Sequence, residues 1–222
     1  RNYLFSEGDL AGVLDANKCR IRELVEAIPR EQFLATSTDT LCEHIVAQLA
    51  VAPLVLHEDK MTMEHAETKI DETHRFEYGG SLDGRPVMAD GHLLKFYVPF
   101  SGDHDLWRLR PSTFSLNPPR GDIDARRKLL TLSFANTSQT EQTWFKQQLE
   151  STLASIRQSI ATQSNQIQRY NASLPKAVQE AVAYRRDQIS KLHGLVSAFD
   201  IPLVRKPGMQ EYKPVDVSPR KQ

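Results

Sequence analysis

The most informative stretch of this sequence is FKQQLESTLASIRQSIATQSNQIQRY, residues 145–170. Its apolar residues recur at spacings of 4, 4, 3, 4, 7 and 3; they are Phe145, Leu149, Leu153, Ile156, Ile160, Ile167 and Tyr170. This spacing is typical of an α-helix with a heptad-like apolar stripe. Gln163 fills the missing position of the stripe. A polar residue there lowers stability, but it can fix the register or leave room for a partner.

The helical pattern extends from Thr140 to Phe199 and is interrupted once, at Asn171–Pro175. Asn171 or Ser173 can cap a second helix, and Pro175 is tolerated in its first turn. A break this short predicts two antiparallel helices, a helical hairpin. One uninterrupted rod with a kink is the alternative. The predicted core or interface residues of the hairpin are Leu153, Ile156, Ile160, Leu192 and Val196.

Two shorter helices are predicted near the start of the chain. The first begins at the potential cap Ser6 and ends at Pro29, with apolar residues on one face. The second is capped by Thr38 or Asp39 and ends before Pro53.

Residues 54–137 have the pattern of strands and tight turns. Leu54–Ile70 predicts one long strand or two collinear ones, and short connections favour an antiparallel sheet of four to six strands. Glycine pairs and Asp-Gly dipeptides predict hairpin turns at Gly79-Gly80, Asp83-Gly84 and Asp90-Gly91. Further strands are expected at His92–Phe100, Leu106–Leu116 and Lys128–Phe134, with a turn at Asn117–Gly121.

These patterns predict an α+β protein with N-terminal helices, an antiparallel β-sheet and a long C-terminal α-helical hairpin. The expected domains are a helical unit at 1–52, a sheet region at 53–137, the hairpin at 138–200 and a linker or tail at 201–222. The tail is expected to be extended because four of the 12 prolines lie from residue 202 onward.

Composition excludes some classes of function. The 28 basic and 28 acidic residues balance, so overall charge does not favour nucleic acid or anionic membrane as a partner. The longest apolar run, Ile45–Leu56, is too short to cross a bilayer of about 30 Å. Cys19 and Cys42 are expected to be free, buried thiols in a reducing cytoplasm. The chain starts at Arg1 and ends in a linker-like segment, so we expect a fragment of a longer cytoplasmic protein.

Two groups of residues could carry metal-dependent chemistry. The stretch from His57 to Glu77 contains His57, His65 and His74 among acidic residues, but on a strand only His65 and Glu67 are close neighbours on one face. Three segments match the acidic–any–Lys pattern of nucleases: Glu58–Lys60, Glu67–Lys69 and Glu211–Lys213. Composition alone predicts about one or two such matches. A solvated, charge-striped strand is therefore expected, and no catalytic, metal-binding or cofactor-binding residue is predicted.

Basic residues form two groups that could bind nucleic acid. Arginine beside aromatic residues can hold phosphates and stack on bases. Solvated charges or an internal docking surface are the alternative. The candidate residues are Arg108, Arg110, Arg126, Arg127, Arg185 and Arg186.

Three segments resemble the N-terminal half of a poorly characterised bacterial protein family: PLVLHEDKMTME (53–64), LWRLRPSTFSLNPPRG (106–121) and IPLVRKPG (201–208). In that family the C-terminal half looks like a restriction-endonuclease-type nuclease domain. The resemblance implies that the catalytic residues lie beyond Gln222, so none can be assigned within this chain.

The function expected from these observations is that of a non-catalytic regulatory, sensing or oligomerising region of a bacterial nuclease that acts against foreign DNA. Its expected partners are a second copy of the chain or the missing C-terminal domain. One alternative is a stand-alone nucleic-acid-binding module that uses the basic groups, with DNA as a partner. A second alternative is a metal-dependent enzyme on the His57–His74 stretch.

Overall fold

The computed structural model describes residues 2–73, 87–113, 117–137 and 141–197, the last with side chains to residue 194. The chain forms two compact units, each built from separate parts of the sequence. Unit 1 comprises Arg1–Leu10 and Ala52–Asn165, and unit 2 comprises Ala11–Val51 and the chain from Gln166 onward.

The strands of unit 1 are β1 (Asn2–Tyr3), β2 (Gly8–Asp9), β3 (Val55–Leu56), β4 (Thr62–Asp71), β5 (Met88–Ser101), β6 (Leu109–Arg110), β7 (Arg120–Asp124) and β8 (Leu129–Thr137). They form an antiparallel sheet with strand order β1-β7-β8-β5-β3, in which β4 also pairs with β5. A further two-residue parallel pair joins β2 to β6.

The α+β class is therefore confirmed. Of the two alternatives predicted for Leu54–Ile70, one long strand or two collinear ones, the structure has the second. Strands β3 and β4 pair with successive parts of the same edge of β5, separated by the 3-10 turn Glu58–Lys60. Alternation places one face of the sheet in the core, where Val98, Leu130 and Leu132 are fully buried.

The predicted turn at Asp90-Gly91 is wrong, because both residues lie inside β5. Gly91 pairs with Thr68 on one side and Thr137 on the other. A Cβ atom at Gly91 would lie 2.6 Å from the carbonyl oxygen of Asn136. This glycine therefore permits a close approach of strands instead of a turn. The two other predicted glycine turns, at 79–80 and 83–84, lie outside the described residues.

The strand predicted at Leu106–Leu116 is also largely wrong. Asp103 accepts a hydrogen bond from the Asp105 N–H at 3.2 Å and starts a 3-10 helix, His104–Trp107. In the described part of the predicted strand, residues 106–113, only β6 is strand. The turn predicted at Asn117–Gly121 ends earlier than expected, since β7 begins at Arg120.

Unit 2 is helical. It contains most of α1 (Leu10–Ala27), all of α2 (Arg30–Ala35) and α3 (Thr38–Leu49), and the second part of α4 (Gln142–Ser197). The first helix starts at Leu10 instead of Ser6, because Gly8–Asp9 pairs as a strand. Ser37, one residue before the predicted cap, caps α3 by accepting the Thr40 N–H at 3.1 Å.

The predicted helical hairpin is wrong, because α4 is one continuous helix that includes Pro175. Neither Asn171 nor Ser173 caps a new helix. A proline inside a helix costs about 3 kcal/mol, whereas each large apolar side chain gains about 1.5–3 kcal/mol on burial. Burial therefore outweighs the proline, since the apolar stripe continues across the expected break. Its fully or nearly fully buried members in unit 2 are Ile167, Tyr170, Leu174, Val178 and Val182.

Candidate functional site

A concave site of unit 1 lies where the N-terminal segment meets the 3-10 helix and β7. The Leu4 N–H donates to the carbonyl of Pro119 at 2.8 Å, and the Glu7 N–H donates to that of Arg108 at 2.8 Å. Between these contacts lies a cleft of about 330 Å³. Its polar and aromatic lining residues are Asn2, Tyr3, Glu7, His104, Asp105, Trp107 and Arg108.

An aromatic cluster that includes Trp107 supports this cleft. The Trp107 ring is 1% exposed, and its centroid lies 5.4 Å from that of Phe5 and 5.3 Å from that of Phe100. Its Nε1 is buried and has no hydrogen-bond partner among the described residues.

An ion pair between Glu7 and Arg108 lies at the rim of the cleft. The Nε and Nη2 atoms of Arg108 lie 2.7 and 2.6 Å from Oε2 of Glu7. This hydrogen bond raises the pKa of Arg108. Because the Glu7 carboxylate neutralises the Arg108 guanidinium, Arg108 is less suited to phosphate binding than the sequence predicted.

Gln163 of α4 (Gln142–Ser197) binds the backbone of the 3-10 helix and of the strand β6 that follows it. Its side chain is 1% exposed, and Nε2 donates to the carbonyl oxygens of Leu106 at 2.9 Å and Leu109 at 2.6 Å. Its position in the apolar stripe was the sequence signal for this role, but no local pattern identified its partners.

The remaining unit 1 arginines of the predicted basic surface differ in exposure. Arg110 is half-buried in β6 and lies opposite Asp9. Arg126 and Arg127 are exposed in the turn between β7 and β8, where their backbone N–H groups donate to Oδ1 of Asp124. The preceding residue, Ala125, lines the cleft. This turn is therefore the most accessible part of the predicted unit 1 basic group. The Arg127 guanidinium is partly neutralised there, since its Nε lies 3.7 Å from Oδ2 of Asp124.

Arg185 and Arg186 make structural contacts in unit 2. Arg185 donates to the carbonyls of Val25 and Ile28, the latter at 2.6 Å, and its guanidinium lies 4.3 Å from the centre of the Phe33 ring. Arg186 donates to the carbonyl of Thr36 at 2.8 Å. These carbonyls lie at or near the C-terminal ends of α1 and α2, where a cation is favoured. The geometry therefore favours the internal docking alternative for this pair.

The five residues of the long helix that were predicted to be core or interface residues differ in burial. Leu153 and Ile156 are buried, and Ile160 is half-buried. Leu192 is 50% exposed, and the side chain of Val196 lies outside the described residues.

The predicted charge-striped strand is β4. Among the residues that the structure describes, β4 pairs only with β5, and Thr62 to Glu67 are exposed. Across the two strands, Lys69 pairs with Asp90. The Tyr97 hydroxyl donates to Glu64 at 2.6 Å, which raises the pKa of Tyr97.

In the described ranges, no three or more His, Cys, Asp or Glu side chains lie close enough together to hold a metal ion. The ring of His65 lies 3.1 Å from that of His92, measured between Nε2 and Nδ1. His57 bonds instead with the Ser101 hydroxyl at 3.2 Å. Residues 74 and 211–213 lie outside the described ranges.

Comparison with known proteins gives no match: no family model, curated protein or solved structure is significantly similar to the chain. None of the helices in the described ranges is both long and apolar enough to span a bilayer.

Proposed function

We propose that this chain is a non-catalytic, oligomerising and regulatory region of a bacterial nuclease that acts in the cytoplasm against foreign DNA. The observation that supports oligomerisation is the exposed outer edge of β4. Along Thr62–Ile70, about every second residue points its backbone N–H and C=O groups away from β5, toward an edge at which no described strand pairs. Such edges bind further strands readily. The nuclease part of the proposal is supported by the family resemblance of the three segments.

Light scattering of the purified chain over a wide range of concentration tests oligomerisation. The expected mass is twice the 25.2 kDa of one chain. A monomer at every concentration would overturn this part of the proposal.

Sequencing the gene beyond the codon for Gln222 tests the nuclease part. The expected result is a strand-rich domain with an acidic residue and an acidic–any–Lys strand, the arrangement that metal-dependent cleavage requires. The longer protein should then cleave DNA with magnesium, whereas the 222-residue chain alone should not. A stop codon directly after Gln222 would contradict the proposal.

A second candidate function is nucleic-acid binding by unit 1, favoured by the exposure of Arg126 and Arg127 beside the cleft. It predicts binding of a DNA oligonucleotide at low salt that weakens steeply as salt is added. Replacing both arginines by alanine should lower the salt slope by roughly 2. Lys146→Ala, at an exposed position of α4, is the matched control. Absence of binding at low salt would remove this candidate.

A further inference from the structure

We propose that β4 pairs antiparallel with β4 of a second copy of this chain, in the register that places Thr68 opposite Thr68. This inference rests on the oligomerising role proposed above, and it names the partner, the surface and the register. The two β4–β5 sheets would become one continuous sheet across a two-fold axis.

Symmetry restricts the registers that are possible. A two-fold axis perpendicular to a continuous sheet keeps each face of the sheet on the same side. Odd-numbered residues of β4 therefore oppose odd-numbered residues of the second copy, and the axis must pass midway between the two copies of one residue. Each candidate register is then defined by the residue that opposes itself.

The charges of β4 select among these registers. Centring on Glu67 or Lys69 places like charges directly opposite each other, which is destabilising. Centring on Thr68 places Glu67 opposite Lys69 twice, and also Ala66 opposite Ile70. Opposite charges, apolar pairs and threonine pairs are the favourable cross-strand combinations. Centring on Ala66 instead places Met63, which is 57% exposed, opposite Lys69.

The Thr68 register also continues a charge pattern that already exists within one chain. In the β4–β5 ladder, Glu67 lies opposite His92 and Lys69 lies opposite Asp90. In the dimer, the row would run from His92 to Glu67, then to Lys69 and Asp90 of the second copy. Charged residues on an edge strand normally prevent pairing with other chains. Here they disfavour the registers centred on Glu67 and Lys69 and favour the one centred on Thr68.

Disulfide trapping tests the register in the full chain, after Cys19→Ser and Cys42→Ser remove the native thiols. Residues directly opposite in an antiparallel pair have Cα atoms about 4.5–5.5 Å apart, within the range of a disulfide. Thr68→Cys should therefore form a covalent dimer on oxidation. Ala66→Cys is the matched control, since its two copies would lie about 13 Å apart along the strands. We expect it to stay monomeric on a non-reducing gel.

A charge exchange supplies a second test that does not depend on disulfide formation. Lys69→Glu alone places Glu opposite Glu, and Glu67→Lys alone places Lys opposite Lys. Each variant should lose the dimer in light scattering. An equimolar mixture should regain it, because each mixed pair again opposes acid with base.

The outcomes separate this inference from the function on which it rests. A dimer that crosslinks through Ala66→Cys and not Thr68→Cys would overturn the register. A dimer that neither cysteine traps and neither charge change weakens would overturn the β4 interface while leaving oligomerisation in place. A monomeric parent chain would contradict both.

Discussion

Asn171 binds the backbone of Val51 in both directions. Its Oδ1 accepts the Val51 N–H at 3.1 Å, and its Nδ2 donates to the Val51 carbonyl at 2.9 Å. The amide therefore substitutes for a strand partner at the segment that follows α3. The residue that suggested a helix cap instead fixes a distant backbone segment to the middle of a helix.

Replacing Asn171 by alanine should destabilise unit 2 by about 1–3 kcal/mol, because two half-buried backbone groups lose their partner. Urea unfolding followed by circular dichroism measures the change. Asn171→Asp keeps the acceptor for the Val51 N–H but places a carboxylate oxygen against the Val51 carbonyl, so it should also be destabilised near neutral pH. Gln168→Ala, at an exposed position of the same helix, should have little effect. Equal midpoints for the alanine variant and the parent would contradict the role of this amide.

Replacing Pro175 by alanine should raise the thermal midpoint. Alanine restores the backbone N–H and removes the clash with the preceding turn, which together outweigh the smaller unfolded-state benefit of proline. The expected gain is roughly 1–2 kcal/mol. A proline in the first turn of a second helix would show no such gain, so an unchanged or lower midpoint would favour the hairpin.

Gln163 should tolerate substitution poorly. Gln163→Leu leaves the Leu106 and Leu109 carbonyls without their donor, at a cost of about 1–3 kcal/mol. Gln163→Glu should be worse near neutral pH, because it buries a carboxylate against two carbonyl acceptors. Chemical unfolding at neutral and acidic pH measures both. Protonation of the introduced carboxylate should recover part of the loss at acidic pH, and the leucine variant should show no such recovery.

Arg185→Ala should destabilise unit 2 by roughly 1.5–3 kcal/mol, since a charged donor to two carbonyls is lost. Arg169→Ala, at an exposed position of the same helix, is the control. A nucleic-acid contact would give the opposite pattern, with unchanged thermal stability and weaker DNA binding.

The two cysteines should differ in reactivity. Both are free thiols, but Cys19 is exposed, in contrast to the expected burial, while Cys42 is half-buried. Burial, followed by the charge of Asp39, raises the pKa of Cys42 and lowers its thiolate fraction. Iodoacetamide should therefore label Cys19 first at mildly alkaline pH, and labelling of Cys42 should accelerate as pH rises. Peptide mass spectrometry measures both rates, which should converge in urea. Faster labelling of Cys42 in the folded chain would contradict this assignment.

Periodicity predicted the parts of the fold that depend on local sequence. The apolar stripe of α4, the strand at residues 92–100 and the end of α1 before Pro29 all follow from spacing and proline chemistry. The errors occur where a distant contact outweighs a local signal. Gly91 was predicted to lie in a turn, but it lies in a strand because the Asn136 carbonyl approaches it closely. Pro175 was predicted to end a helix, but the helix continues because Tyr170 and Leu174 are buried on the same stripe.

The candidate site was less predictable, because its contacts join residues far apart in sequence. Glu7 and Arg108 are separated by 101 positions, and Arg185 and Val25 by 160. A list of arginines could identify both guanidinium groups, but it could not distinguish one paired at a cleft from one that caps a helix. The role of each arginine depends on whether its partner is a carboxylate or a carbonyl, and only the folded structure shows which partner it has.

Each unit is built from two separate parts of the sequence, and this order affects folding during synthesis on the ribosome. Unit 1 begins with the first ten residues but needs residues up to Asn165, and unit 2 begins at Ala11 but needs α4. Neither unit can complete its core while the chain is shorter than about three-quarters of its length, although domains usually fold in turn from the N-terminus. Nascent chains that stall before Gln142 should therefore expose the apolar faces of α1, α3 and β8 together. We expect such intermediates to be bound by chaperones that recognise exposed apolar segments.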